Sequence, residues 1–281
     1  MTLYFDTNVF DRLLEGSPSD LRRLASWKAS GGPVIVLSVL NLEEVMQAEP
    51  RDPEKFRRLM RTILHWCNGE MVVKPIDQLL SENVMSYADG QGAVQPILSG
   101  EQLTTIQKGM NQFLLDRSDP GVLERLTAIL ETYAQNRSYK EAIEAVLPEL
   151  RMAAREDRHR RAARSFEAFF RDSSTKFAET FARKCGVFER CAARGVGRMV
   201  QEIGSVRALS GILCSTVYSH AVEGREVQTS DSRDLQHFTL ASSVADVFVT
   251  KERSLSYRVR RIPVPSVTIW DGDGLLANCP I

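Results

Sequence analysis

Five short apolar runs stand far apart in this chain, and helix-patterned stretches separate them. They are Leu3-Tyr4-Phe5, Val34-Ile35-Val36-Leu37, Met71-Val72-Val73, Val247-Phe248-Val249-Thr250 and Ser266-Val267-Thr268-Ile269-Trp270. The second is β-branched, short and bounded by turn residues, the pattern of a strand buried in a parallel sheet. Between the runs, helical spacing covers residues 9–15, 21–29, 42–48 and 54–66. Ser17-Pro18-Ser19-Asp20 supplies a cap signal, and Gly16 and Gly31-Gly32-Pro33 supply stops. Strands separated by helices need crossover connections. The expected fold is therefore α/β, a parallel sheet of about five strands with helices on both faces.

The middle of the chain reads differently. From about residue 78 to 221 β-branched runs are few and helical periodicity is long. Leu123, Leu126, Ile129, Leu130 and Tyr133 share one stripe, as do Phe166, Phe169 and Phe170. The expected division is an α/β core formed by residues 1–90 and 205–281, split in sequence by an all-helical insertion at 91–204. No internal repeat is visible.

Lys+Arg and Asp+Glu both number 36, so the formal net charge is zero. That excludes a uniformly basic nucleic-acid coat but leaves room for a local basic face. Residues 151–200 carry 13 Arg or Lys against 6 Asp or Glu, a local excess of +7. Within it Arg158, Arg160, Arg161 and Arg164 are candidates to hold a nucleic-acid backbone; a solvated helix surface laced with i,i+4 pairs is the plainer alternative. Five Cys without CxxC spacing argue against a disulfide framework and a structural zinc site. No apolar run reaches the ~18 residues of a membrane span, and the N-terminus has no charged leader. A cytoplasmic setting without membrane contact is expected.

The acids follow the strands. Asp6 comes directly after the first run, Glu43 and Glu44 lie at the start of the helix after the second, and Glu252 stands two residues beyond Thr250. Asp231 and Asp234 head a helix that runs to about Ala245. In a parallel sheet the positions after strands share the carboxyl edge, where open α/β folds bind ligands. Massed carboxylates repel unless a cation sits among them, and oxygen ligands select a hard ion, Mg²⁺ or Mn²⁺. Such an ion lowers the pKa of bound water and neutralises a leaving oxygen, which suits phosphodiester hydrolysis. Thr7 and Thr250 offer hydroxyls beside this site, or a helix cap and a strand end. Asn8 reads as a structural amide bridging backbone groups and the Asp6 carboxylate. His237, one helical turn after Asp234, either touches a phosphate or water near the metal or is a packed, hydrogen-bonded core histidine. Asp246 is expected at the amino end of its strand, and Asp271 and Asp273 in a polar loop.

These residues resemble the motifs of the PIN-domain nucleases. Tyr4-Phe5-Asp6-Thr7-Asn8-Val9-Phe10 is similar to that family's first strand and Asp-x-Asn turn. Ser38-Val39-Leu40-Asn41-Leu42-Glu43-Glu44 is similar to its second motif, a strand-end Ser followed six residues later by a helix Glu. Ser232-Arg233-Asp234-Leu235-Gln236-His237 and Ala245-Asp246-Val247-Phe248-Val249-Thr250-Lys251-Glu252 resemble its third and fourth. The resemblance covers about residues 1–90 and 205–275, not the insertion. It implies a metal-dependent endoribonuclease in which Asp6, Glu44, Asp234 and Glu252 hold one or two Mg²⁺ or Mn²⁺ ions. Glu43 is then the neighbour of a ligand, and Asp231 competes with Asp234 for the third position. Glu252 departs from the commoner Asp at the fourth. The family includes toxins of bacterial toxin–antitoxin pairs, so the implied partners are single-stranded RNA and an inhibitory antitoxin protein; a homodimer is a separate expectation.

Other chemistries fit less well. A phosphatase with a nucleophilic Asp wants a second carboxylate where Asn8 stands. A dinucleotide site needs a glycine turn after the first strand, and a serine hydrolase a GxSxG elbow; neither is present. The competing class is a non-catalytic PIN-like module that binds RNA or a protein through the insertion.

Overall fold

Side chains of β1, Thr2–Phe5, alternate across the sheet: Leu3 and Phe5 enter one core and Tyr4 the other, all fully buried. A strand buried on both faces belongs at the centre of a parallel sheet. The computed structural model describes residues 1–46, 51–115, 165–225, 231–263, 267–272 and 275. The remaining strands are β2, Val34–Ser38, β3, Asn68–Val73, β4, Val247–Thr250, and β5, Thr268–Asp271. All pairings are parallel, in the order β3-β2-β1-β4-β5. The chain moves outward from β1 in one direction through β2 and β3, then returns to the other side of β1 for β4 and β5. The switch point therefore lies between β1 and β4, where a crevice opens at the carboxyl edge.

One face of the sheet is covered by α1, Thr7–Leu14, α2, Pro18–Ala29, α3, Val39–Met46, and α4, Pro53–Trp66. Their apolar stripes meet Leu3, Phe5, Ile35, Leu37, Val247 and Val249. Ser17 accepts from the Asp20 amide and Asp52 from that of Lys55, each followed by Pro at the first helical position. α5, Ile76–Ala88, follows β3, and α6, Gly100–Leu115, adds Ile106 and Met110 to the first core. α7, Phe166–Lys184, α8, Phe188–Arg194, and α9, Val196–Glu202, gather on α5 around Val84, Tyr87, Ala178, Ala182, Cys191 and Met199. The second face is covered by α5 with α10, Gly204–Val222, α11, Asp231–Val244, and α12, Arg253–Arg260, against Tyr4, Val36, Val73 and Phe248. Gly211 on α10 lets the chain after α12 come close: a Cβ there would lie 2.3 Å from the Ile262 side chain.

The five expected strands are all present, with shifted ends. β3 starts at Asn68 rather than Met71, because a register irregularity between Val36 and Leu37 lets its polar start pair with β2. The helix expected at 42–48 begins at Val39, directly after β2. The stretch 91–99, expected to open an all-helical insertion, is extended instead. Leu98 donates its amide to the Val72 carbonyl (2.8 Å) and Lys74 donates to Pro96 (2.9 Å), with an antiparallel bridge between Val73 and Ile97. These bonds cover the outer edge of β3, whose backbone groups would otherwise face water unpaired. The stripe from Leu123 to Tyr133 and the arginines Arg158, Arg160, Arg161 and Arg164 lie outside the described residues, as does Asp273. No helix among the described residues is long and apolar enough to cross a membrane.

Candidate functional site

β1 ends at Phe5, and the next amide, that of Asp6, donates to the Val249 carbonyl (3.0 Å), which fixes Asp6 at the switch point. Its backbone is extended at the N-cap position of α1, but the side chain does not cap. It turns into the crevice, where Oδ2 accepts from Thr250 Oγ1 (2.7 Å) and Asn8 Nδ2 (2.9 Å). Asn8 Oδ1 in turn accepts from the Lys251 amide at 3.2 Å. Asn8 thus has the expected bridging role, and Thr250 steadies a carboxylate. Oδ1 of Asp6 faces the imidazole of His237, 3.7 Å away.

Glu44 reaches the crevice from α3. That helix starts abruptly because Ser38 and Asn41 cap it reciprocally: Ser38 Oγ accepts from the Asn41 amide (3.1 Å), and Asn41 Oδ1 accepts from the Ser38 amide (3.3 Å). Asn41 Nδ2 also ties the helix to β1, donating to the Phe5 carbonyl and to Thr7 Oγ1, both at 3.1 Å. One turn further on, Glu44 Oε2 lies 2.9 Å from His237 Nε2. Burial disfavours the Glu44 charge, but His237, the Thr7 hydroxyl and Arg233 outweigh it and hold its pKa below the usual value.

His237, on α11, is buried, and its other nitrogen meets the Tyr4 hydroxyl at 2.9 Å. Behind it runs a linear chain of contacts: Tyr4 to Ser38 Oγ (2.9 Å), and Ser38 Oγ donating to Asn41 Oδ1 (2.6 Å). The hydrogens can be counted. Four contacts link Asn41 Oδ1, Ser38, Tyr4, His237 and Glu44, and both ends are acceptors. Ser38 and Tyr4 supply one hydrogen each, and burial, with the Glu44 and Asp6 carboxylates adding to it, keeps the Tyr4 phenol protonated. A neutral imidazole adds one more and leaves one contact unfilled. Imidazolium fills all four. Burial alone would lower the His237 pKa, but Glu44 and Asp6 outweigh it and raise it to about 9, in agreement with the count.

Asp231 and Asp234 lead elsewhere. Arg258, a fully buried residue of α12, places Nη2 2.6 Å from Asp234 Oδ2 and 3.0 Å from Asp231 Oδ1. Arg225 adds a forked pair to Asp231 at 2.8 and 3.0 Å. Burial, joined by Asp6 and Asp231, still outweighs Arg258 and raises the Asp234 pKa to about 6. Asp234 therefore borders the crevice but is engaged by a guanidinium. Glu252 is exposed at the N-cap of α12, its amide donating to Thr250 Oγ1 at 3.1 Å.

Among the described residues, the acidic and histidine side chains close enough together to share one cation are Asp6, Glu44 and His237, each offering one atom within 4.8 Å of the others. Asp231, Asp234, Glu252 and Glu43 are not in that group. The donor set fits a divalent ion, with an imidazole where oxygen alone was expected. Nitrogen favours Mn²⁺ over Mg²⁺, and a ligating His237 must first give up the Nε2 proton it shares with Glu44. Two signals for the supporting residues were present in the sequence. A Tyr in a buried strand needs a partner for its hydroxyl, and Arg258 stands among Leu255, Val259 and Ile262 on the apolar side of its helix. No family model, curated protein or solved structure matches the chain.

Proposed function

We propose that the chain is a metal-dependent endoribonuclease with a PIN-like core, and that Asp6, Glu44 and His237 hold a divalent ion, Mn²⁺ or Mg²⁺. The observation that carries this is the convergence of those three side chains at the carboxyl edge, at the switch point where open α/β sheets bind ligands. Strand order 3-2-1-4-5, an Asp after β1 and a Glu on the helix after β2 agree with the motif resemblance. The ion would supply an activated water and charge neutralisation on a phosphodiester. The chain's own residues do the positioning. Thr250 and Asn8 saturate one oxygen of Asp6 and aim the other at the crevice. Thr7 steadies Glu44, and Arg258 keeps the Asp231 and Asp234 charges from adding to the repulsion at the centre. An antitoxin-type inhibitor and a homodimer belong to the same proposal.

The test is cleavage of single-stranded RNA in Mn²⁺ or Mg²⁺ by the parent and by Asp6→Asn. Loss of one electrostatic catalytic element costs about 3 kcal/mol, so the variant should be slower by about a hundredfold or more. Equal rates would refute the assignment. One observation favours a second reading, a non-catalytic PIN-like module: His237 already lies against Asp6 and Glu44, and Arg258 against Asp231 and Asp234. Under that reading Mn²⁺ leaves the melting temperature unchanged. Under the first it raises it, because a ligand bound only by the folded state stabilises by mass action.

A further inference from the structure

α12 has two working faces. Leu255, Arg258 and Val259 turn inward, and Arg258 holds the acids of α11. Arg253, Tyr257 and Arg260, spaced i, i+4 and i+7, form one outward stripe, and Tyr257 is 62% exposed. They line an open cleft of about 760 Å³ together with Phe166 of α7, Tyr218 of α10 and Arg261. Arg261 is its centre: the guanidinium lies 4.4, 5.5 and 5.8 Å from the ring centroids of Tyr257, Phe166 and Tyr218. Glu223 holds it there through contacts of 3.0 and 3.4 Å and accepts from the Tyr257 hydroxyl at 3.3 Å. Glu223 is thereby neutralised within the cleft. Among the described residues that line the cleft, the further acid beside Arg253 and Arg260 is Asp271 at the end of β5.

Aromatic rings interleaved with guanidinium groups, with three arginines against two acids among the described lining residues, match the chemistry of a single-stranded polynucleotide. Bases stack on the rings and on the Arg261 plane, and phosphates meet Arg253 and Arg260. The position fits as well. α12 begins three residues after Thr250, whose hydroxyl holds Asp6, and the cleft is lined by Arg253, the first residue of that helix, and by Asp271, the last of β5, which ties it to the sheet edge that carries Asp6. We infer that the cleft between α12, α7 and α10 binds a single-stranded polynucleotide and leads its backbone toward the Asp6–Glu44–His237 centre. The choice of ligand rests on the nuclease proposal; the cleft itself does not.

The experiment is fluorescence anisotropy of the full chain with a fluorescein-labelled single-stranded RNA of about 12 nucleotides, within the usual site size, in EDTA so that nothing is cut. Tyr257→Ala should weaken binding about tenfold, the loss of one stacked base, whereas Tyr257→Phe, which keeps the ring, should stay close to the parent. Arg253→Ala with Arg260→Ala should flatten the slope of log affinity against log salt by about 1.4, two phosphate contacts on a single strand. These side chains are exposed, so circular dichroism and melting should match the parent. A parent that binds no RNA, or variants with parental affinity and salt slope, overturns the inference and leaves the metal proposal standing. A parent that binds RNA through these residues yet cuts none in Mn²⁺ overturns the nuclease proposal and leaves the cleft.

Discussion

Tyr4→Phe tests the protonation of the buried relay most directly. The change removes one hydroxyl from a fully buried ring and leaves its packing against Phe248 in place. His237 Nδ1 then has a hydrogen and no acceptor, while Ser38 keeps its bonds to Asn41. A buried hydrogen bond from a charged donor is worth about 2 kcal/mol, or about 1.5 in the pKa of that donor. His237, at about 9 in the parent, should fall to about 7.5 in the variant on that magnitude. The sign follows from linkage. A histidine whose folded pKa exceeds its unfolded value, ~6.5, stabilises the folded state fully below ~6.5, and that stabilisation is lost as pH rises to the folded pKa. The parent should therefore lose about 3 kcal/mol of this contribution between pH ~6.5 and ~9, and the variant only about 1 kcal/mol, complete near pH 7.5. Glu44, whose pKa is lowered, titrates on the acid side and does not enter this window. Urea unfolding at half-unit pH steps from 6 to 9.5 measures both curves, and side-chain NMR of the histidines reports the titration itself. A parent stability flat across this range, or an identical pH slope in the variant, would show that the hydrogens were counted wrongly.

Two further substitutions probe the acids. Glu44→Gln should abolish RNA cleavage while Glu43→Gln leaves most of it, since adjacent helix residues diverge by about 100°; the reverse result would place the wrong glutamate in the crevice. Arg258→Leu should cost about 3–5 kcal/mol in urea unfolding, because it leaves the Asp234 carboxylate buried without its cation. The loss should shrink as pH falls toward about 6, because without its cation the Asp234 carboxyl takes up a proton at a higher pH than in the parent, and a cost under about 1 kcal/mol would mean that the guanidinium contributes little there.

The positions after the strands were legible in the sequence because a short continuous apolar run and the polar residue ending it are local features. Asp6, Asn8 and Thr250 come from such local patterns, and they contact one another as the parallel pairing of β1 and β4 requires. Glu44 was legible through its distance from Ser38, since that Ser caps the helix carrying the Glu. The fate of Asp234 was not, because its partner Arg258 stands 24 residues away on another helix, and only packing brings them together. His237 read as a supporting or packed histidine rather than as one of the grouped ligands for a similar reason: its role depends on a Tyr4 hydroxyl 233 positions away in sequence. Glu252 follows the strand motif but is drawn outward as the first residue before α12, where the helix start decides its direction.

The bond from Thr250 to Asp6 joins positions 244 apart in sequence. During synthesis β1 is made long before β4, so it waits with one edge unpaired while more than two hundred intervening residues are added. Closing so long a loop is slow and puts a high contact order on the centre of the sheet. Asp6 cannot acquire its Thr250 partner, nor Glu44 its His237, until the α11–β4 hairpin of sequence has left the ribosome. Whatever the crevice does, a nascent chain cannot do it before α11 and β4 have emerged, and a product truncated anywhere between Val73 and Asp231 lacks His237 and Thr250 while keeping all of β1, β2 and β3 with Asp6 and Glu44.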